Sequence, residues 1–337
     1  MKKLLLLVAT LLVCCACAKE KTFAEKLSEL GYTQEDIALI EGLSEEHQQL
    51  FSETYEEDLL SFVKEDQFRE ENLEKYLSFE GLLERKLMMR LVNENILNKE
   101  NSGKLFILYS KDRFIERNET LYLKYLDQYD DLDEMMEMVN SLRYKELYTD
   151  IEPTDMSKGD LILVNKYHAL AANYYPKDLV DVDPSLGRGQ LTEKTYDAYL
   201  KLYEDAKKQG YSLYIVSSFR SYDYQDGLYN KYLRSDPKEV VDTYSARPGH
   251  SEHQTGMAID VSVPGVSLDD FGKTDAAKWL NENCSHYGFI IRYPSEKIDI
   301  TGYIEEPWHI RYLGIETAED VVRHHMTYDE YYACFVE

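Results

Sequence analysis

Two short stretches of this 337-residue chain carry residue types that could do chemistry together. In the first, Ser251-Glu252-His253-Gln254-Thr255-Gly256-Met257-Ala258-Ile259-Asp260, an imidazole precedes a glycine-hinged turn and a carboxylate follows it. In the second, Glu305-Glu306-Pro307-Trp308-His309, a carboxylate and another imidazole stand close together beside a large aromatic ring. A lone histidine would say little. Two imidazoles and a carboxylate match the donor set of a catalytic zinc site, which takes three nitrogen or oxygen ligands and keeps one position open for water. His253, Asp260 and His309 fill that count and leave Glu306 over. A carboxylate near the activated water but off the metal can take its proton and pass it to a leaving amine. Glu305 reads as a solvated neighbour of Glu306, and His250 reads equally as a group supporting a ligand or as a turn histidine satisfied by backbone.

The elements that must hold these groups follow from periodicity. Met257 to Ser262 alternates, which predicts a strand with Met257, Ile259 and Val261 on one face and Ala258, Asp260 and Ser262 on the other. An aspartate fixed on such a strand is costly to bury unless it is paired or ligates a cation. Leu161 to Val164 and Tyr211 to Phe219 also predict strands. Thr192 caps a predicted helix whose apolar side is Tyr196, Tyr199, Leu200 and Tyr203 and which ends at Gly210. A second helix, from about Asp275 to Tyr287, stops at Gly288 and gives way to a strand, Phe289 to Tyr293. Helices and strands mixed without regular βαβ alternation predict an α+β domain over residues 156–337, a small antiparallel sheet flanked by helices. The turn formers Pro153, Asp155, Ser157 and Gly159 place its start.

Residues 18–155 predict an all-helical module that is acidic and poor in Gly and Pro. Thr33-Gln34-Glu35-Asp36 is a helix-start signal, and Asp58 to Val63 and Tyr122 to Tyr129 carry apolar residues at helical spacing. No repeat period is evident, and the pattern fits a packing or spacer module better than a binding one.

At the N-terminus, Lys2 and Lys3 precede an apolar run, Leu4 to Val13, too short to span a bilayer, which predicts an export signal over residues 1–17. Cys14-Cys15-Ala16-Cys17 resembles the lipobox of bacterial lipoproteins, with Cys17 as the lipidated residue and Cys15 as the alternative; ordinary cleavage near Ala16 or Ala18 stays open. The mature chain is expected outside the cytoplasm, anchored to the outer face of a bacterial membrane. Cys284 and Cys334 could pair in an oxidising compartment, although Cys284 shares a helical stripe with Ala277, Leu280 and Tyr287 and reads as a small buried hydrophobe. With 63 acidic against 38 basic residues and a formal charge of -25, most of the surface repels polyphosphate, so nucleic acid is not an expected partner.

The pattern S-x-H-x-x-G-x-A-x-D followed by E-x-W-H resembles the VanY-type D-alanyl-D-alanine carboxypeptidases, zinc peptidases related to the VanX dipeptidases and similar to LD-carboxypeptidases. The likeness extends through Ser218-Phe219-Arg220-Ser221, Tyr244-Ser245-Ala246-Arg247-Pro248-Gly249-His250, and Tyr287-Gly288-Phe289 to Tyr293-Pro294, roughly residues 160 to 316. It implies one Zn2+ per chain on His253, Asp260 and His309, Glu306 as general base, and Arg220 stabilising the developing oxyanion or orienting the substrate. Ser251 and Gln225 resemble positions that line the substrate pocket. The implied reaction removes C-terminal D-alanine from peptidoglycan stem peptides, with D,D- and L,D-specificity both open. A zinc-stabilised peptidoglycan-binding module without turnover and a cross-bridge endopeptidase are the competing readings.

Overall fold

The computed structural model describes residues 21–337, so the expected signal segment and Cys17 lie outside the described residues. Among the described residues, no helix is long and apolar enough to cross a membrane. The described residues divide into two compact units, one that ends at Lys111 and one that runs from Asp112 to Glu337. That division falls ahead of the turn-rich stretch at which sequence places the boundary. The helices Glu119–Tyr125 and Leu132–Asn140 are tied to the C-terminal half instead. Lys297 donates to Glu137 at 3.1 Å, Arg143 to Asp299 at 3.3 Å, and Arg117 to the Ala333 carbonyl at 3.3 Å.

The first unit is helical, as its composition predicts. Thr33 caps the helix Gln34–Glu41 in a reciprocal box with Asp36, and Thr22 does the same with Glu25 for Phe23–Leu30. Leu27, Ile37, Ile40, Phe51, Leu60 and Leu73 form the core these helices share.

Against the sequence expectation, the structure contains an internal repeat. A 3-10 turn and two helices, Glu70–Asn72, Leu73–Phe79 and Arg85–Asn93, recur in the second unit as Glu116–Asn118, Glu119–Tyr125 and Leu132–Asn140. In the first copy the side-chain carbonyl of Asn93 accepts from Asn72 at 3.0 Å and from the Tyr76 hydroxyl, while its amide donates to the Gln67 carbonyl at 2.8 Å. In the second, Asn140 accepts from Asn118 at 3.0 Å and from the Tyr122 hydroxyl, and donates to the Arg113 carbonyl at 3.1 Å. Met88-Met89-Arg90-Leu91-Val92-Asn93 and Met135-Met136-Glu137-Met138-Val139-Asn140 are the same helix written twice. The register drifts by one residue between the two helices of each copy, from 72–118 and 76–122 to 93–140, which hides the period.

The second unit is built on a four-stranded antiparallel sheet of β1 (Tyr214–Ser217), β2 (Ala258–Ser262), β3 (Phe289–Tyr293) and β4 (Glu306–Tyr312), in the order β1-β2-β4-β3. Ile215, Ile259, Val261, Phe289 and Ile310 cover one face with apolar side chains. The helices α1 (Glu193–Lys208) and α2 (Asp275–Asn283) close over it with Tyr199, Leu202, Ala206, Ala277 and Leu280. The alternate residues Asp260, His309 and Arg311 point to the other side, as the two-residue period of a strand requires.

Two expected elements differ. Leu161 to Val164 is not a strand: a 3-10 segment, Met156–Leu161, runs into irregular chain. Its carbonyls are satisfied without a neighbouring strand, those of Asp160 and Ile162 by Arg311 at 3.1 and 2.9 Å and that of Leu163 by the Thr154 hydroxyl at 3.0 Å. The helix expected to reach Tyr287 ends at Asn283 and tightens into a 3-10 turn, Cys284–Tyr287, before Gly288. Gly288 has φ 87°, and a Cβ there would lie 2.9 Å from the Tyr312 ring. Cys284 is a free thiol buried in the main core, and Cys334 is free and half-buried.

Candidate metal centre and cleft

Strand register does most of the assembly. β2 pairs with β4 so that Asp260 stands opposite His309, and β1 pairs with β2 so that Ser217 stands opposite Asp260. Directly opposed residues on one face have neighbouring side chains, so two groups 49 positions apart meet without any loop having to deliver them. His253 comes from the 3-10 turn Glu252–Thr255, which Gly256 converts into β2. Gly256 has φ 69°, and a Cβ on it would meet Leu179 at 2.8 Å, so this turn needs glycine.

The donor atoms of His253, Asp260 and His309 all lie within 4.8 Å of one another, and all three residues are buried. Nε2 of His253 is 3.2 Å from Asp260 Oδ2, and Nδ1 of His309 is 3.1 Å from Asp260 Oδ1. The far nitrogen of each ring is anchored. His253 Nδ1 donates to the Ser218 carbonyl at 2.7 Å, and His309 Nε2 donates to Glu252 at 3.3 Å. Each ring is thereby held in the tautomer that aims a lone pair at the shared point, from Nε2 in His253 and from Nδ1 in His309. Two fixed imidazole lone pairs and a carboxylate are a nitrogen–oxygen set that fits zinc.

Electrostatics point the same way. Burial and the neighbouring Arg220 push His253 down to about 4, which keeps its lone pair available. Burial opposes a charge on His309, but its bonds to Asp260 and Glu252 outweigh burial and hold it up at about 9, so with no cation a proton occupies that place. Asp260 stays well below the usual carboxylate range because His253, His309 and Arg220 outweigh its burial.

Glu306 lies beside this cluster, its carboxylate 3.6 Å from His309 Nδ1. Burial lifts it to about 7 despite the pull of His309, so it exchanges a proton near neutrality. Glu305, next to it, is exposed. The backbone explains the contrast. Glu306 opens β4 opposite Tyr293, beyond a shift in the β3–β4 register, and Glu305 lies before the strand.

Arg220 follows β1 and is held on three sides. Its Nε donates to Ser217 at 2.9 Å, one terminal nitrogen to Asp260 at 2.6 Å and the other to Gln225 at 3.5 Å. The Gln225 amide in turn donates to the Ala246 carbonyl at 2.8 Å, so both ends of this side chain are engaged. Ser251 is buried in the wall of a cavity of about 320 Å3 that also contains Arg220, Glu306 and the three candidate ligands. His250 lies apart from the cluster: its Nδ1 bonds the Asn165 carbonyl at 2.7 Å and its ring packs edge-on against Tyr148. His324 and His325 are exposed at the end of a helix, Ile315–Arg323.

Sequence reasoning missed several cavity residues. Tyr232, Tyr244 and Tyr303 complete an aromatic rim with Trp308, and among 29 tyrosines nothing in the spacing singles out these three. Glu252 was visible next to His253 but carried no signal of its own. Its partners Arg292 and Arg311, at 2.8 and 3.1 Å, sit on strands where an apolar residue is the default.

Comparison with known proteins adds an independent line. The family model described as VanY, D-alanyl-D-alanine carboxypeptidase, matches residues 188–315. The Bacillus subtilis (strain 168) protein named "Putative carboxypeptidase YodJ" is 41% identical over 191 residues, 54% of this chain and 70% of that protein. A D-alanyl-D-alanine carboxypeptidase of Enterococcus faecalis is 32% identical over 196 residues, 55% of this chain and 70% of that protein. Among solved structures, the LdcB LD-carboxypeptidase superposes with a TM-score of 0.51 at 38% identity, covering 56% of this chain and 92% of that one.

Proposed function

This chain belongs to the VanY family of D-alanyl-D-alanine carboxypeptidases and is a zinc metallopeptidase; from that premise we propose that it releases C-terminal D-alanine from peptidoglycan stem peptides. The observation that carries the reading is a site with two kinds of acid: Asp260 facing two locked imidazoles, and Glu306 beside them but outside the set. His253 through Nε2, His309 through Nδ1 and Asp260 are the residues that would hold the cation. When bound, zinc supplies a Lewis acid that polarises the scissile carbonyl and lets a water lose its proton near neutral pH.

Glu306 takes that proton as the water oxygen attacks the carbonyl carbon. When the carbon–nitrogen bond breaks, Glu306 returns the proton to the departing amine of D-alanine and ends the cycle ionised. Arg220, permanently charged and fixed by Ser217, Asp260 and Gln225, stabilises the oxygen on which negative charge develops. Gln225 in this reading positions Arg220 and does not itself touch the peptide. The Ser251 hydroxyl and the aromatic rim are left to hold the substrate.

The relatives include both an LD-carboxypeptidase and a D-alanyl-D-alanine carboxypeptidase, so the residue that precedes the released D-alanine is a matter for the substrate. Purified tetrapeptide and pentapeptide muropeptides, incubated in parallel with and without a chelator, separate the two by the mass of the product. Loss of one alanine without the chelator is the expected result. Intact peptides in both arms indicate a binding module, and cleaved cross-bridges an endopeptidase. The basic and apolar run ending in Cys17 supports placing this activity outside the cytoplasm on a lipid anchor, and metabolic labelling with a fatty-acid analogue, abolished by Cys17→Ser, is the check.

A further inference from the structure

Next to His309 four charged side chains are buried together, beginning with Glu252 in the cavity wall and running inward from it. Glu252 accepts from His309 Nε2 at 3.3 Å with one oxygen, and with the other it accepts from Arg292 Nε at 2.8 Å and Arg311 at 3.1 Å. A terminal nitrogen of Arg292 donates to Asp329 at 2.6 Å, and the second Asp329 oxygen accepts from the Asn165 amide at 2.7 Å. Glu252 and Arg292 are each 1% exposed, Arg311 is wholly buried and Asp329 is 6% exposed, so water contributes little to this balance. Two carboxylates face two guanidinium groups, and their charges cancel only while all four are present. Asp329 belongs to the short helix Tyr328–Tyr331, beyond the segment 188–315 that the family model matches.

We propose that Asp329 is a positioning residue for the metal ligand His309, acting through Arg292 and Glu252. Arg292 is shared between the two carboxylates. With the Asp329 carboxylate in place Arg292 is divided between two acceptors, and Glu252 remains a strong acceptor for the His309 N–H. With an amide in place of that carboxylate, Arg292 bears on Glu252 alone, which then holds the imidazole less firmly. The partner that orients a ligating histidine and strengthens its basicity is worth about 10- to 100-fold in metal affinity when lost. Glu252→Gln removes that partner directly. Asp329→Asn weakens it from one step away, and its effect is smaller. The C-terminal segment thus has a function in the metal centre that no residue of it touches.

The inference rests on His309 being a zinc ligand. The test is zinc affinity, measured by competition with a chromogenic chelator, for the intact wild-type chain, Glu252→Gln, Asp329→Asn, the double variant and His309→Ala. Expected are a loss of about 10-fold or more for Glu252→Gln, a loss of several-fold for Asp329→Asn, and a double variant no weaker than Glu252→Gln alone, because both changes cut one path. The d–d spectrum of the cobalt-substituted protein shifts in Asp329→Asn if the ligand field at His309 changes, which a merely structural role would not produce. Wild-type affinity and spectrum in Asp329→Asn, or losses that add in the double variant, overturn the proposal. If Asp329→Asn is not recovered folded, Arg292→Lys keeps the charge but loses the fork that spans both carboxylates; several-fold weaker zinc supports the proposal and unchanged zinc overturns it. Unaltered zinc binding in His309→Ala would instead sink the ligand assignment itself.

Discussion

The repeated asparagine corner, half-buried at Asn93 and buried at Asn140, and the buried candidate metal centre are both polar clusters, yet they differ in how their groups add up. At Asn93 and again at Asn140, each carbonyl meets a hydroxyl and an amide, and each amide meets a backbone carbonyl. Donors and acceptors cancel. At His253, Asp260 and His309 the anchored ring tautomers leave two lone pairs and a carboxylate aimed at one another. Arg220 meets one oxygen of Asp260, but the lone pairs that face one another still need a proton or a cation between them. A buried polar cluster that closes on itself holds a fold together; one that converges acceptors on a point has a ligand still to receive.

The comparison can be broken most severely by removing the cation. Exhaustive chelation is expected to abolish alanine release, with activity restored by zinc, while the circular dichroism of the helices around Asn93 and Asn140 is unchanged. Next in size is Glu306→Gln, which keeps the shape and the metal but not the proton acceptor. A fall of about 10^2- to 10^4-fold in kcat with zinc affinity within a few-fold of wild type is expected from steady-state kinetics and chelator competition. Arg220→Met is expected to cost about 10^2- to 10^3-fold in kcat, the usual scale for one oxyanion donor. Full activity in either variant would assign its role elsewhere.

A pH profile sharpens the same contrast. Glu306 must be ionised to accept a proton, and burial lifts it to about 7 with no metal present. A bound dication favours the ionised form and lowers that midpoint. At saturating zinc, kcat/KM should therefore fall on the acid side with a midpoint below about 7, and a midpoint above it would contradict the assignment. The smallest effect belongs to the closed cluster. Asn93→Ala leaves the Tyr76 hydroxyl and the Asn72 amide without an acceptor and should cost about 1–3 kcal/mol in denaturant melts, with zinc affinity untouched.

What could be read from the chain beforehand follows from the same physics. The candidate ligands were legible because residue type and order specify them, and Asp260 was placed by the alternation of its strand. The register that sets Asp260 against His309 was not legible, since pairing is decided by the whole sheet. Leu161 to Val164 looked like a strand because an apolar run carries no information about whether Arg311 or another strand will satisfy its carbonyls. The repeat escaped because its identities are scattered, among them Phe68 and Phe114, Asn72 and Asn118, Tyr76 and Tyr122, and the paired methionines, and their spacing slips by one. Glu252 escaped for a related reason: its importance lies in Arg292 and His309, which are distant in sequence and close only in the fold.

The central claim is that one cation is gripped by Nε2 of His253, Nδ1 of His309 and the carboxylate of Asp260, with Glu306 left off the metal. Anomalous diffraction at the zinc edge from crystals of the zinc-loaded protein tests it most directly. One strong peak is expected at about 2.0–2.2 Å from each of those three donors and beyond bonding distance of Glu306. A peak bonded to Glu306, or to the other nitrogen of either ring, would contradict it.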